Sequence, residues 1–386
     1  MNENPRTAVR LTFVGDVALG GDFVANARPE DAPWTYPFAS LEHLIPLTDL
    51  MVVNLEGPLA REGEPRSGVT AHLYNEPEVI DWFRRFPTCF CNLANNHMLD
   101  YGAPAMRSTR RQLAAAGLFF GGCGNNEADA SAPVRITSRG QSIALVSYTT
   151  DAPHVGSVIA GPSSPGCASL NDPESVIASV ERVASTADTV VVCLHWGHEF
   201  YHYPTPTQAQ FARRLLDAGA TLVVGHHPHV QQGIEEYRGG LIAYSLGNLL
   251  LPEFRTAAGR VQYRKPVTKQ FAILQVEVAG RSILRWNIEG GSCSRTYRLL
   301  PYRGRTQEQF KASMHKLSAP LPSPDYPEFW AQAQNQRGIE LRRESVRDAL
   351  AKLWLADWSA LVRTLSWHDL KRNVQRVSGL VSSYRK

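Results

Sequence analysis

Gly225-His-His-Pro-His229 places three imidazoles within four residues, directly after an apolar run. That density is hard to explain as packing and easy to explain as metal binding. Four more polar motifs close apolar runs in the same way: Gly15-Asp16, Asn54-Leu-Glu56, Asn95-Asn96-His97 and His195-Trp-Gly197. Each is weak alone. Gly-Asp is commonly a turn, Asn-Leu-Glu a helix cap, and a lone His195 a satisfied core residue. Together they offer carboxylate, amide oxygen and imidazole, the donors that Mn, Fe or Zn prefer over soft thiolate sites.

Two adjacent ions need a bridging carboxylate to hold them about 3.5–4 Å apart. Glu56 is the best candidate, having two oxygens to share. A water held by such ions ionises near neutral pH and becomes a nucleophile. His97 is suited to protonate a leaving oxygen, because imidazole titrates near neutrality. His198 and His202 are four residues apart, but Gly197 and Pro204 mark a loop, so substrate contact or plain exposure is expected there.

These residues need elements that deliver them to one place. Strands are expected at Val9–Val14, Leu50–Asn54, Thr88–Leu93, Ile143–Tyr148, Thr189–His195, Thr221–Gly225 and Leu241–Leu246. Helical periodicity fills 76–85, 104–116, 173–185 and 206–218, with glycine stops at 117 and 219. The alternation implies an α/β domain with helices covering sheet faces. In such sheets ligands bind beyond the carboxyl ends of the strands, which is where the five motifs fall.

Residues 151–170 read as a Pro/Gly/Ser-rich loop, 251–270 as an insertion, and 271–288 as a late antiparallel strand pair. Pro320–Pro327 reads as a linker. Residues 328–381 then read as helices, with Trp354, Trp358, Leu361 and Leu365 on one stripe. The expected division is 8–300 for the catalytic domain and 301–386 for a linker and helical extension.

The chain has 386 residues, with 43% hydrophobic and 20% charged, values of a globular protein. A net charge of +4 is too small to argue for nucleic acid. No apolar stretch approaches the ~20 residues of a membrane span. The N-terminus lacks the apolar region of about 7–15 residues that marks a signal peptide, so a cytoplasmic location is expected. The six cysteines show no metal-binding spacing, and reduced buried thiols are expected. Cys89 and Cys91 would share one strand face. The basic end (Arg363, Lys371, Arg372, Arg376, Arg385, Lys386) reads as a solvated helical face, with contact to an anionic membrane surface as the alternative.

In order and spacing, these motifs resemble the CapA (poly-γ-glutamate capsule biosynthesis) family of bacterial proteins. They are Gly15-Asp16, Asn54–Glu56, Ala94–His97 with Asp100-Tyr-Gly102, His195–Glu199, Gly225–Val230 and Tyr244–Asn248. The resemblance covers about residues 8–250. It implies the calcineurin-like metallophosphoesterase superfamily, whose fold is an α/β (α+β) four-layer αββα sandwich, here followed by a C-terminal helical extension. It also implies roles. Asp16, Glu56, Asn96, His195, His226 and His229 become divalent-metal ligands (Mn, Fe or Zn), with Glu56 bridging and His97 the proton donor. Glu199 would orient a ligand histidine. Asn54, Asn95 and His227 stand beside the ligands or near substrate. One departure matters: the superfamily has a histidine two residues after the first Asp, and here that residue is Ala18. One of two metal positions therefore loses a ligand and is expected to be weak or absent.

The expected activity is hydrolysis of a phosphoester, in a small-molecule or polymeric anionic substrate. The alternatives are a metal-dependent γ-glutamyl amide hydrolase and a non-catalytic polymer-binding component of capsule assembly.

Overall fold

The computed structural model describes residues 7–355, apart from 22, 24–34, 42–43, 46, 60–62, 68–71, 153, 256–260 and 263–264. In chain order the first strands are β1 (Val9–Val17), β2 (Leu50–Leu55), β3 (Cys89–Asn92), β4 (Phe119–Gly121), β5 (Cys123–Gly124), β6 (Val134–Ser138), β7 (Gln141–Thr149) and β8 (Gly166–Cys167). Next come β9 (Thr189–His195), β10 (Leu222–His226), β11 (Ile234–Tyr237), β12 (Gly240–Ala243) and β13 (Asn248–Leu250). The last are β14 (Phe254–Arg255), β15 (Val261–Gln262), β16 (Gln270–Ala279), β17 (Ser282–Cys293) and β18 (Leu299–Pro301). The helices are α1 (Ile80–Phe83), α2 (Gly102–Ala115), α3 (Glu127–Ala130), α4 (Pro173–Ala184), α5 (Pro206–Asp217), α6 (Gly304–Ser318) and α7 (Tyr326–Leu355).

Two large sheets face each other. One has the order β18-β17-β16-β1-β2-β3-β4, with β13 beside the end of β1, and the other is β11-β12-β10-β9-β7-β6. Alternation along the central strands explains the stacking. Leu50, Val52, Phe90, Leu145, Val191 and Cys193 point into one core between the sheets. Their neighbours Met51, Val53, Cys89 and Cys91 point the other way, onto Met106 and Leu113 of α2. Val190, Val192 and Leu194 likewise face Val180 of α4 and Leu215 of α5. Strands apolar on both faces require cover on both faces, and three separate cores between four layers follow. The architecture is the expected αββα sandwich.

Local chemistry fixes the helix starts. Asp172 accepts from Ser175 N at the head of α4, and Thr205 and Gln208 form a reciprocal capping box at the head of α5, with Pro206 in its first turn. Cys89 and Cys91 are buried, reduced and on one face. Among the described residues no helix is long and apolar enough to cross a membrane.

Three expectations change. The strand expected at Leu241–Leu246 ends at Ala243. The chain then leaves the second sheet, turns at Gly247 (φ 67) and resumes as β13 in the first sheet. Residues 304–318, within the segment expected as linker and helical extension, form α6, whose Phe310 and Met314 enter the inter-sheet core. The Pro320–Pro327 run is no free tether, because Leu321 and Tyr326 are buried and Tyr326 Oη donates to Pro204 O at 2.6 Å. The apolar side of α6 carries the first compact unit to Trp330, beyond the expected boundary at 300. The second unit is Ala331–Lys386, in which Arg337 bridges Glu340 and Glu344. The aromatic stripe and basic end expected farther along lie outside the described residues.

Gly15 marks a close approach of backbone to backbone at the sheet junction. A Cβ there would stand 2.0 Å from the carbonyl oxygen of Gly247. Gly15→Ala is expected to destabilise the fold by about 1–3 kcal/mol through overpacking against backbone. Urea unfolding checks this, and an unchanged midpoint would refute it.

Candidate metal centre

Strand register sets the polar residues in two rows. In the first sheet Asp16 pairs with Asn54, Asn54 with Asn92, and Asp16 on its other side with Asn248. In the second sheet Thr149 pairs with His195 and His195 with His226. Both rows lie at the carboxyl ends of their strands, and side chains cross between them. His226 Nε2 donates to Val14 O (3.2 Å), Asn54 Nδ2 lies 3.4 Å from His195 Nδ1, and His227 N donates to Asp16 Oδ2 (3.4 Å).

The carboxylates of Asp16 and Glu56 are wholly buried. A relay of amides aims the first: Asn92 Nδ2 donates to Asn54 Oδ1 (2.8 Å), and Asn54 Nδ2 donates to Asp16 Oδ1 (2.8 Å). Glu56 is aimed through its backbone. Asn75 Nδ2 donates to the carbonyls of Glu56 and Gly57, and Asn95 Nδ2 donates to Leu55 O (2.8 Å) while its Oδ1 accepts from Gly57 N. Asn95 thus clamps the main chain on either side of Glu56.

His229 stands between the two acids. Its Nδ1 is 3.2 Å from Asp16 Oδ2 and 2.9 Å from Asn248 Oδ1, and its Nε2 is 3.9 Å from Glu56 Oε1. Burial opposes a charge on His229, but Glu56 and Asp16 outweigh it and push the pKa up to about 9. Burial likewise favours neutral Asp16, and the facing imidazoles, His229 first, reverse it and lower its pKa. The other histidines go the opposite way. Burial lowers His226, takes His195 well down, and brings His227 to about 4, with His229 adding to the last.

His97 is held by Asp100. Its Nδ1 donates to Asp100 Oδ2 at 2.6 Å, and its Nε2 lies 3.8 Å from Glu56 Oε1. Burial works against its charge, and Asp100 and then Glu56 raise its pKa in spite of that. Asp100 is itself fixed by Leu73 N (2.7 Å). Asn96 Oδ1 accepts from His195 Nε2 at 2.8 Å. Glu199 is exposed on the loop after β9, yet it groups with His227 and His229, their donor atoms within 4.8 Å of one another. His198 stacks on His154 with 4.2 Å between ring centroids. His202 Nδ1 reaches Gln231 O at 3.2 Å, away from the acids.

Asp16, Asn54, Glu56, Asn95, Asn96, His97, His195, Glu199, His226, His227 and His229 therefore gather at these strand ends, while His202 turns to Gln231 O. The sequence reading missed Asn92, and it quoted Asp100 and Asn248 within its motifs without giving either a role. Asn92 carried a signal, since it closes its strand as Asn54 does. Asp100 stands one helical turn after His97.

The residues fit a divalent cation. Asp16, Glu56 and His229 offer donors within 4.8 Å of one another. His226 Nδ1 and His227 Nδ1 are buried with no hydrogen-bond partner among the described residues, a costly state that a Lewis acid relieves. Two buried acids sharing one protonated imidazole also call for positive charge, which a cation would supply while releasing that proton.

Asn54→Ala strands both the Asn92 amide and Asp16 Oδ1. It is expected to cost about 1–3 kcal/mol of stability and about 10–100-fold in cation affinity. Urea unfolding and Mn²⁺ calorimetry check the two effects, and unchanged affinity would show that the relay does not aim Asp16.

The chain is 31% identical over 291 residues to the capsule biosynthesis protein CapA of Bacillus anthracis, covering 73% of this chain and 68% of the relative. It is 32% identical to the PGA biosynthesis protein CapA of Bacillus subtilis, over 69% of this chain and 71% of the relative. Among solved structures, a 5′-nucleotidase from Candida albicans SC5314 aligns at a TM-score of 0.39 and 10% identity, over 88% of this chain and 60% of that one. The bacterial capsule synthesis protein PGA_cap family matches residues 10–253, the span that carries every residue of the candidate cluster. With that match and the Bacillus relatives, the chain belongs to the PGA_cap family of bacterial capsule synthesis proteins.

Proposed function

We propose that this protein is a metal-dependent phosphoesterase acting on an anionic substrate in capsule polymer synthesis. The observation that carries the reading is the pairing of two wholly buried carboxylates, Asp16 and Glu56, with the Asp100-anchored His97 facing Glu56 from 3.8 Å. Bound divalent ions would supply an electrophile for the phosphoryl oxygens and acidify a water.

The chain's own residues do the rest. Asp16, Glu56 and His229 would hold one cation, and Asn96, His195 and His226 would serve a second. The Asp100 carboxylate fixes the Nδ1 proton of His97, which turns Nε2 toward the reacting centre. From there His97 hands a proton to the departing oxygen. Asn54 and Asn92 keep Asp16 in place, so little reorganisation is left for substrate binding.

A second reading changes the bond cleaved. The Bacillus subtilis relative is named for PGA biosynthesis, which favours a γ-glutamyl amide as substrate. The same cation and proton donor serve an amide carbonyl.

Purified protein loaded with Mn²⁺ is expected to hydrolyse an aryl phosphate mono- or diester. His97→Ala is expected to retain its metal by elemental analysis while kcat falls about 10²–10⁴-fold, the usual worth of a general acid. Chelation is expected to abolish turnover and lower Tm. Metal-replete protein that is inert toward every phosphoester tried, yet cleaves γ-glutamyl polymer, would select the amide reading.

A further inference from the structure

We infer that Cys123 and Cys167 are a redox-active pair, oxidised by a small-molecule disulfide to a cross-strand disulfide bridge. The bridge moves the Cys167 sulfur off the carbonyl of Asn95, in the loop that carries Asn96 and His97.

Register brings the two cysteines together. The strands β5 and β8 are antiparallel, and Cys123 is directly opposite Cys167. Cys167 N donates to Val158 O (2.8 Å) and Cys167 O accepts from Ala160 N (2.9 Å), so the peptide groups of Cys167 turn away from β5. The ladder bond runs instead from Ala168 N to Gly122 O at 3.0 Å. Cys123 and Cys167 are therefore a non-hydrogen-bonded pair, the kind whose Cα atoms stand about 4.5 Å apart with side chains closest. A disulfide needs Cα atoms about 4.4–6.8 Å apart. Both side chains enter the same apolar core, so rotation about χ1 is what separates the two thiols from a bond. The other cysteines are placed differently. Cys89 faces Met51 across the sheet, Cys91 faces Val53 and Phe120, Cys193 faces Ser147 and Val224, and Cys293 faces Leu299.

What the pair touches gives the bridge a consequence. The Cys167 thiol donates to Asn95 O at 3.5 Å and lies 3.7 Å from Leu93 O. Asn95 clamps the main chain around Glu56, and Asn96 and His97 follow it directly. A sulfur bonded to Cys123 has no proton to donate, so oxidation takes this partner from the Asn95 carbonyl. The same bond ties β8 covalently to β5, which follows the edge strand β4 of the first sheet.

Burial pushes both thiols up, Cys123 well above its ordinary value and Cys167 to about 12. Reaction therefore waits on local opening. The strands β5 and β8 have two residues each, a ladder short enough to open without unfolding the domain. Once it opens, the thiolate of one cysteine attacks the reagent disulfide and releases one small thiol, leaving a mixed disulfide. The second cysteine attacks the protein sulfur of that mixed disulfide and releases the other small thiol. Two electrons pass from the cysteines to the reagent, and the two thiol protons are carried by the released thiols.

The test incubates the full chain overnight with reduced or oxidised glutathione, alkylates it in denaturant and maps the digested peptides by mass spectrometry. Oxidised glutathione is expected to give one linked peptide pair, Cys123 with Cys167, while Cys89, Cys91, Cys193 and Cys293 are recovered alkylated. Tm is expected to rise by about 5 °C with the bridge and to return on adding dithiothreitol. The His97 imidazole signals in NMR spectra, assigned through His97→Gln, are expected to shift on oxidation of the wild type and to stay in place in glutathione-treated Cys123→Ala. Cys123 and Cys167 both recovered alkylated, or only as glutathione adducts, would overturn the pair. A bridge that leaves the His97 signals unmoved would overturn its coupling to the centre. Both outcomes leave the metal-dependent reading standing.

Discussion

Two carboxylates with no access to water, Asp16 and Glu56, converge on one imidazole, and the surrounding structure is arranged around that fact. Taking an ionised carboxylate out of water costs several kcal/mol even after relaxation. The charge is tolerated only where partners are fixed in advance. Asn54 and Asn92 form such a partner chain for Asp16, and Asn75 and Asn95 do the equivalent for the main chain around Glu56. His229 completes the group, its pKa pushed up to about 9 by the two acids against the effect of burial. A fold that had only to be stable would gain by replacing this cluster with apolar side chains, so its presence speaks for chemistry at this point.

The sheets supply the rigidity. Each strand buried on both faces is held by two apolar layers, and its last residue is therefore placed by packing rather than by a loop. Asp16, Asn54 and Asn92 lie side by side because β1, β2 and β3 are in parallel register, and His195 and His226 because β9 and β10 are. The connection from Tyr244 to Asn248 then ties the two sheets together at the same edge. It passes Gly247 against Gly15, and only residues without side chains permit so close an approach.

Against this fixed floor the outer rim is looser in chemistry. His97 is partly accessible, Glu199 is exposed, and the exposed His154 stacks on the half-buried His198. Residues on strand ends hold charge, and residues on the loops meet whatever approaches. Ala18 belongs to the floor, where it packs with Leu73 and Leu251 in a small apolar cluster.

The identities of the ligand candidates were legible in the amino-acid sequence because each sits at the end of an apolar run, and a buried strand announces itself locally. The α/β alternation and most strand and helix bounds were legible for the same reason. Pairing register was not local, and tertiary structure alone decided it. It turned Asn92 into the support of Asn54, turned Asn95 away to clamp the backbone, and brought Asn248 beside His229. It also made Asp100 the anchor of His97, since one turn of chain had to fold back before the two could touch. Helix α6 was hidden because its few apolar residues, Phe310 and Met314, signal burial only once the inter-sheet core exists to receive them. Residue type and spacing thus pointed to the candidate groups, while long-range packing decided which of them meet, because contact across more than a hundred residues is set by the whole core at once.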